Sequence, residues 1–267
     1  MRTLILPDVH LKIAKVKKII DDEKFDTLIS LGDWFDDFND TPLKNEKTAK
    51  FILSLYDKFG ENFIWLLGNH DVPYVYPEMK TTYWCSGNTE AKNKVIQKVF
   101  SKKLNKNLLK LAHIIKHNDL KPIVLSHAGI SIGQFKKSLY SAKTPDVTEN
   151  DIIERCKKAL LNCDIGRYDE FLGAGPARYG YAPIGGVTWL DWNMEFAPVK
   201  GLSQIVGHTP VKLPSITDGS TDEYLIEKDV EEMTHVLSAD KCYNINLDTH
   251  LNYYAILEDN NLIIRKK

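Results

Sequence analysis

The chain has 267 residues, 43% of them hydrophobic, enough to bury the core of one large domain or of a domain carrying a sizeable insertion. A formal net charge of -1 leaves no overall electrostatic footprint for nucleic acid or a membrane surface. No run approaches the roughly 20 apolar residues that span a bilayer, and no signal peptide is visible. The four cysteines (Cys85, Cys156, Cys163, Cys242) lack CxxC spacing, so the expectation is a soluble cytoplasmic protein with reduced thiols.

In chain order, one pattern recurs: a short apolar run with strand character that stops abruptly at His, Asp, Asn or Gly. Residues 3–6 end in Pro7-Asp8-Val9-His10, 27–31 in Gly32-Asp33-Trp34-Phe35-Asp36, and 63–67 in Gly68-Asn69-His70-Asp71. Further on, 122–125 end in Ser126-His127-Ala128-Gly129 and 203–206 in Gly207-His208-Thr209. Between the first three lie helical spacings, Ile13/Val16/Ile19/Ile20 and Ala49/Ile52/Leu53/Tyr56, the second closed by Gly60. Residues 90–100 and 104–116 also read as helices. Strands alternating with helices predict an α/β fold whose ligands gather at the carboxyl ends of the strands. Residues 130–202 break the rhythm with a helix near 149–161, capped by Thr148 or Asn150, and a glycine-rich loop from Gly173 to Gly186. This region reads as a helix-and-loop insertion acting as a lid over the strand ends. The chain closes on a strand near 244–247 and an antiparallel hairpin, 253–257 with 262–264.

Asp8 and His10, two apart on an extended segment, leave on the same face and can share one ion. Asp33, Asn69, His127 and His208 add oxygen and nitrogen ligands from the other strand ends. Without thiolate this set suits manganese first, with iron or zinc as alternatives. Six ligands exceed the need of one tetrahedral ion, so two divalent metals about 3.5–4 Å apart, bridged by one carboxylate, are expected. Asp33 sits at its strand end because cations offset its charge, Asp36 is placed to orient a histidine, and Asp37 and Asp40 read as solvated acids.

These five motifs, in this order and at about these separations, resemble the calcineurin-like metallophosphoesterases. The closest likeness is to the phosphoprotein phosphatase branch, which includes bacterial and phage Ser/Thr phosphatases and diadenosine tetraphosphate hydrolases. The resemblance implies a β-sandwich flanked by helices in αββα layers, forming a single domain over residues 1–267. It implies that Asp8, His10 and Asp33 hold one metal, and that Asp33, Asn69, His127 and His208 hold the other. A hydroxide bridging the ions would attack phosphorus directly, and His70, steadied by Asp36, would protonate the leaving alkoxide. Asn246-Leu247-Asp248-Thr249 resembles a further, weaker landmark.

The chain departs from that branch at three points: Asp37 stands where an arginine normally clamps the phosphate, Asp71 where a glutamate is usual, and His250 where a glycine ends the landmark. Only five arginines face 30 lysines, yet Arg155, Arg167 and Arg178 all fall in the insertion. Arg178, with Arg167 beside it as a candidate, is expected to supply the missing clamp, and Asn69 to contact substrate as well as metal. His113 and His117, four apart on the expected helix, read as surface or packing residues, as does His235, while His250 could edge the site. Trp34 is expected to wall the site, and Trp189, Trp192 and Tyr179 to pack.

The expected function is hydrolysis of phosphate monoesters, on a phosphoprotein or a small phosphorylated metabolite. One alternative is a nucleotide phosphoanhydride or phosphodiester hydrolase, such as one acting on dinucleoside polyphosphates. Another, of a different class, is a non-catalytic metal-bound scaffold.

Overall fold

Alternation along the strands decides the layering. On the first strands Leu4, Leu6, Leu28 and Trp65 point into one apolar cluster with Val16, Ile19, Ala49, Ile52 and Ile96 of the helices. Their neighbours Ile5, Ile29 and Ile64 point the other way, into a second cluster with Ile123, Leu125, Ile205 and Ile245 of a second sheet. Strands buried on both faces lose the polar alternation of a surface sheet, which is why these runs are apolar throughout. The molecule is described by a computed structural model covering all residues except 39, 102, 118, 137–144, 218–222 and 226–229, with the backbone alone at 223–225.

The strands are β1 (Arg2–Leu6), β2 (Thr27–Ser30), β3 (Phe63–Trp65), β4 (Ala112–Ile115), β5 (Ile123–Ser126), β6 (Ser203–Val206), β7 (Ser215–Thr217), β8 (Glu223–Leu225), β9 (Glu232–Val236), β10 (Asn244–Asn246), β11 (Tyr253–Glu258) and β12 (Asn261–Lys266). The helices are α1 (Ile13–Asp22), α2 (Pro42–Phe59), α3 (Val72–Val75), α4 (Glu90–Phe100) and α5 (Glu149–Asp164). One sheet has the order β3-β2-β1-β11-β12-β9 and the other β4-β5-β6-β10-β7-β8. Each contains a parallel trio, β1/β2/β3 and β5/β6/β10. The αββα expectation holds: the carboxyl ends of both trios emerge at one rim of the sandwich. No helix among the described residues is long and apolar enough to cross a membrane, and the four cysteines are free.

Among α1–α5, three carry side-chain caps at their described N-termini. Thr41, ahead of Pro42, accepts from the Lys44 N–H at 3.3 Å, and Thr89 does the same for Lys92 at 3.4 Å. Thr148 and Asp151 form a capping box on α5.

Several expectations are corrected. Residues 104–116 are not a helix: a short turn at Lys106–Leu108 leads into β4, paired antiparallel with β5. Ile114 and Ile115 favour a strand, and the open edge of β5 offers the backbone partners. His113 and His117 therefore do not share a helix face. Trp34 is fully buried in the helix-side core, against Phe51 and Phe63, and walls no site. Asp40 is no solvated acid: its side chain is 6% exposed and pairs with Lys92 at 2.6 Å. Residues 130–202 do two things. Ile152, Cys156 and Ala159 of α5 join the same cluster as Val124, making α5 an outer layer on the second sheet, while the loop after it brings Arg178 and Trp189 to the rim.

Candidate metal centre

Six loops meet at the rim, held by backbone and carboxylate ties. The N–H groups of Val9 and His10 donate to the Asp33 carbonyl at 3.1 and 2.7 Å, joining the loops after β1 and β2. The buried Asp71 carboxylate accepts from the Asp33, Trp34 and Gly68 N–H groups at 2.8, 2.8 and 2.9 Å and from the Trp65 indole at 3.1 Å, fixing the loops after β2 and β3 together. Burial and then the Asp33 charge push Asp71 up to about 7, against which these donors act. The Gly207 N–H donates to the His127 carbonyl at 2.7 Å. The two sheets are joined where the His208 N–H donates to both Asp8 carboxylate oxygens at 3.1 Å.

This convergence is sterically demanding. A Cβ on Gly68 would lie 2.1 Å from Asp33 Oδ1, and one on Gly207 would lie 2.1 Å from Asp8 Oδ1. His10, Asp33, Asp36 and His208 all have left-handed backbones, with φ of 41°, 48°, 61° and 68°. Non-glycine residues held there cost of order 1–3 kcal/mol each, a pattern concentrated at functional sites.

Ligand atoms of Asp8, His10 and Asp33 lie within 4.8 Å of one another, and so do those of Asp33, His127 and His208, making Asp33 common to both groups. Asn69 Oδ1 is 3.0 Å from His127 Nε2, and His208 Nδ1 is 3.1 Å from the same atom. Carbonyls set the tautomers. His127 Nδ1 donates to the Leu31 carbonyl at 2.8 Å, and His10 Nδ1 to the Asp36 carbonyl at 2.7 Å, so each Nε2 turns its lone pair toward Asp33, at 3.5 and 3.8 Å. His127 Nε2 thus faces the Asn69 amide oxygen, acceptor against acceptor, which is the arrangement a cation between them relieves. The donor chemistry fits divalent metal.

Titration behaviour points the same way. Burial, then the charges of Asp248 and Asp33, push Asp8 well above the usual carboxylate range. Burial opposes ionisation of Asp33 too; what holds it at about 2 is positive charge on the surrounding imidazoles of His127, His70, His10 and His208. Burial keeps His127 and, more strongly, His208 unprotonated. Mutually repelling carboxylates beside neutral imidazoles form a site short of positive charge.

A cleft of about 470 Å³ opens over these groups, lined also by Asp36, His70, Arg178, Trp189, Asp248 and His250. His70 Nδ1 contacts Asp36 Oδ2 at 3.0 Å. Burial alone would lower His70, but the Asp33 charge and the Asp36 hydrogen bond lift it well above its ordinary value. Arg178 pairs with Asp191 at 2.9 Å and donates to Thr209 Oγ1 at 3.0 Å, at the cleft edge. Arg167 is exposed and lies outside the cleft lining, and Arg155 is engaged with Asp169. Trp189 meets the His208 ring edge-on, Trp192 stacks on Phe196, and Tyr179 is exposed. Asp248 escaped the reading from sequence as a site residue, although its place after β10 repeats the pattern of the other five strand ends. Tyr74 and Lys92, both bonded to Asp36, left no local signal.

A search of curated proteins returns no match. Among solved structures, the chain is similar to a metallophosphoesterase from Sphaerobacter thermophilus, with 15% identity over 100% of this chain and 88% of that one and a TM-score of 0.50. It is similar also to a cold-active protein-tyrosine phosphatase of the psychrophile Shewanella sp., with 16% identity over 98% and 77% and a TM-score of 0.52. Residues 1–212, which carry every candidate ligand from Asp8 to His208, match the calcineurin-like phosphoesterase family. With two ligand groups sharing Asp33 inside that span, the chain belongs to the calcineurin-like phosphoesterases, metal-dependent phosphoric ester hydrolases built on a dinuclear centre.

Proposed function

We propose that the chain hydrolyses phosphate monoesters, of a phosphoprotein or a small phosphorylated metabolite, with Asp8, His10 and Asp33 holding one metal and Asp33, Asn69, His127 and His208 the other. The observation that carries this reading is the sharing of Asp33 between the two ligand groups beside the His70–Asp36 pair. Bound there, two divalent ions, manganese in the first place, supply neutralisation of the phosphate and activation of water. His70 Nδ1 is committed to Asp36, so Nε2 gives its proton to the departing oxygen, a contribution worth ~10²–10⁴-fold. Arg178 keeps N–H groups beyond those used on Asp191 and Thr209, and these bind phosphate oxygens where the missing clamp would stand. The loop carrying Arg178 serves as the lid. Four free cysteines favour a reducing compartment such as the cytoplasm.

A second reading is hydrolysis of nucleotide anhydrides or phosphodiesters. It is favoured by the apolar surface on the rim, where Phe38 is 95% exposed beside the cleft and Trp189 lines it. The two separate on p-nitrophenyl phosphate and its bis-ester, assayed in manganese with metal content measured on the same sample. The monoesterase reading expects at least a tenfold higher kcat/KM on the monoester and loss of both activity and metal in Asp33→Asn. A preference for the bis-ester would replace it with the second reading. Two bound metals without turnover of either substrate would favour the scaffold.

A further inference from the structure

We propose that Lys92, on α4, is a positioning residue for the proton donor His70, acting through Asp36; this rests on the reading of His70 given above. Lys92 is 5% exposed and sits in the first turn of its helix, where the helix dipole disfavours a cation. A lysine is rarely buried without a function or a full set of partners. All three of its N–H bonds are used: on Asp36 Oδ1 at 3.0 Å, on Asp40 Oδ1 at 2.6 Å and on the Gly87 carbonyl at 2.6 Å.

The consequence falls on Asp36, whose own backbone is left-handed. Its Oδ1 accepts from Lys92 and from the Tyr74 hydroxyl at 2.6 Å, while Oδ2 faces His70 Nδ1 at 3.0 Å and the Cys85 thiol at 3.8 Å. With Oδ1 held by two donors, the carboxylate cannot rotate away from His70. Asp36, His70 and Cys85 also present a cluster of the kind that binds a thiophilic ion. The Lys92 ammonium already supplies the positive charge there, which argues for a proton-donor mount over a third metal site. Without Lys92, Asp36 and Asp40 would be left repelling each other, and Asp36 would lose the grip that sets the His70 ring. Besides Asp36, the cleft-lining residue that Lys92 touches is Gly87, through its backbone carbonyl.

The test is the dependence on the leaving group. Phenoxide needs a proton as it departs; the far less basic nitrophenolate does not. Lys92→Met is expected to lower kcat on phenyl phosphate about tenfold to a hundredfold, with less than about threefold loss on p-nitrophenyl phosphate and KM within about twofold on both. An equal loss on the two substrates, or no loss, overturns the proposal. His70→Asn serves as the reference. If it shows no leaving-group dependence, the acid role of His70 fails; if it does and Lys92→Met does not, Lys92 alone is refuted. Should Lys92→Met not melt cooperatively, Tyr74→Phe, which removes the other donor to Oδ1, is expected to give the same selective loss, and equal losses there would overturn the proposal.

Discussion

Gly68→Ala offers a demanding check on the shared carboxylate. A Cβ at position 68 would stand 2.1 Å from Asp33 Oδ1, 2.7 Å from the Asp33 amide nitrogen and 2.8 Å from His127 Cε1, whereas contacts below 3.0 Å are essentially never tolerated. The Asp33 carboxylate must therefore retreat by about 0.9 Å or more from a position that both ligand groups use. A misplacement of about 1 Å at reacting groups costs on the order of 10²-fold in rate, and one added carbon in a packed interior costs about 1–3 kcal/mol. The backbone amide of Asp33 is tied to Asp71 and the His70 N–H donates to Asp33 Oδ1 at 2.9 Å, so the retreat cannot be absorbed by the carboxylate alone. The variant is expected to fold, to hold less than two equivalents of manganese by elemental analysis after dialysis, and to lose about 10²-fold in kcat on p-nitrophenyl phosphate. Two tightly held ions with turnover near that of the parent would show that the carboxylate does not bridge, and the two-metal geometry would fall with it.

Three further outcomes follow from the structure. Arg178→Ala is expected to raise KM for a phosphate ester about tenfold or more, since a hydrogen bond to a charged group is worth about 1.5–3 kcal/mol, and to weaken inhibition by free phosphate in step; unchanged values of both would remove Arg178 from the site. Asp71→Asn sets an amide N–H against one of the four donors that Asp71 now accepts. The expected loss is about 2–4 kcal/mol, a fall of roughly 5–10 °C in Tm, read by thermal melting in excess metal. Burial, and secondarily Lys110, pushes His113 down to about 4. The unfolded chain then takes up a proton near pH 6.5 that the folded chain refuses, so this stabilisation is complete above about pH 6.5 and fades as pH falls toward 4. Urea unfolding at pH 7 and pH 5 is expected to show a drop that shrinks by about 2 kcal/mol in His113→Phe; an unaltered drop would contradict the assignment.

How much of this was legible in the sequence depends on how far apart the interacting residues lie. The strands of both parallel trios declare themselves by short apolar runs, and their ligands by abrupt polar stops, because both signals are local. The bounds of α4 follow from the spacing of its apolar residues in the same way. Residues 104–116 fail because their leucines and isoleucines fit either period, and the edge of β5 that decides the matter is not a local property. Asp40 was misread for a similar reason: what buries it is Lys92, 52 residues later, and nothing near Asp40 announces that partner. Tyr74 and Lys92 reach Asp36 only because α3 and α4 pack where they do.

The same distance dependence explains why the glycines of the motifs are as informative as the ligands. Gly68 and Gly207 are not turn residues chosen for a positive φ; they are places where the Asp33 and Asp8 carboxylates, arriving from other strands, occupy the volume of a side chain. Four left-handed non-glycine residues around them add at least about 4 kcal/mol of strain, and burial presses Asp8, Asp33 and Asp248 together. A rim built this way is unfavourable on its own account. Ions that bind the folded chain and not the unfolded one return that free energy, so metal affinity and the rigidity of these six loops have a common origin in the crowding of carboxylates around Asp33.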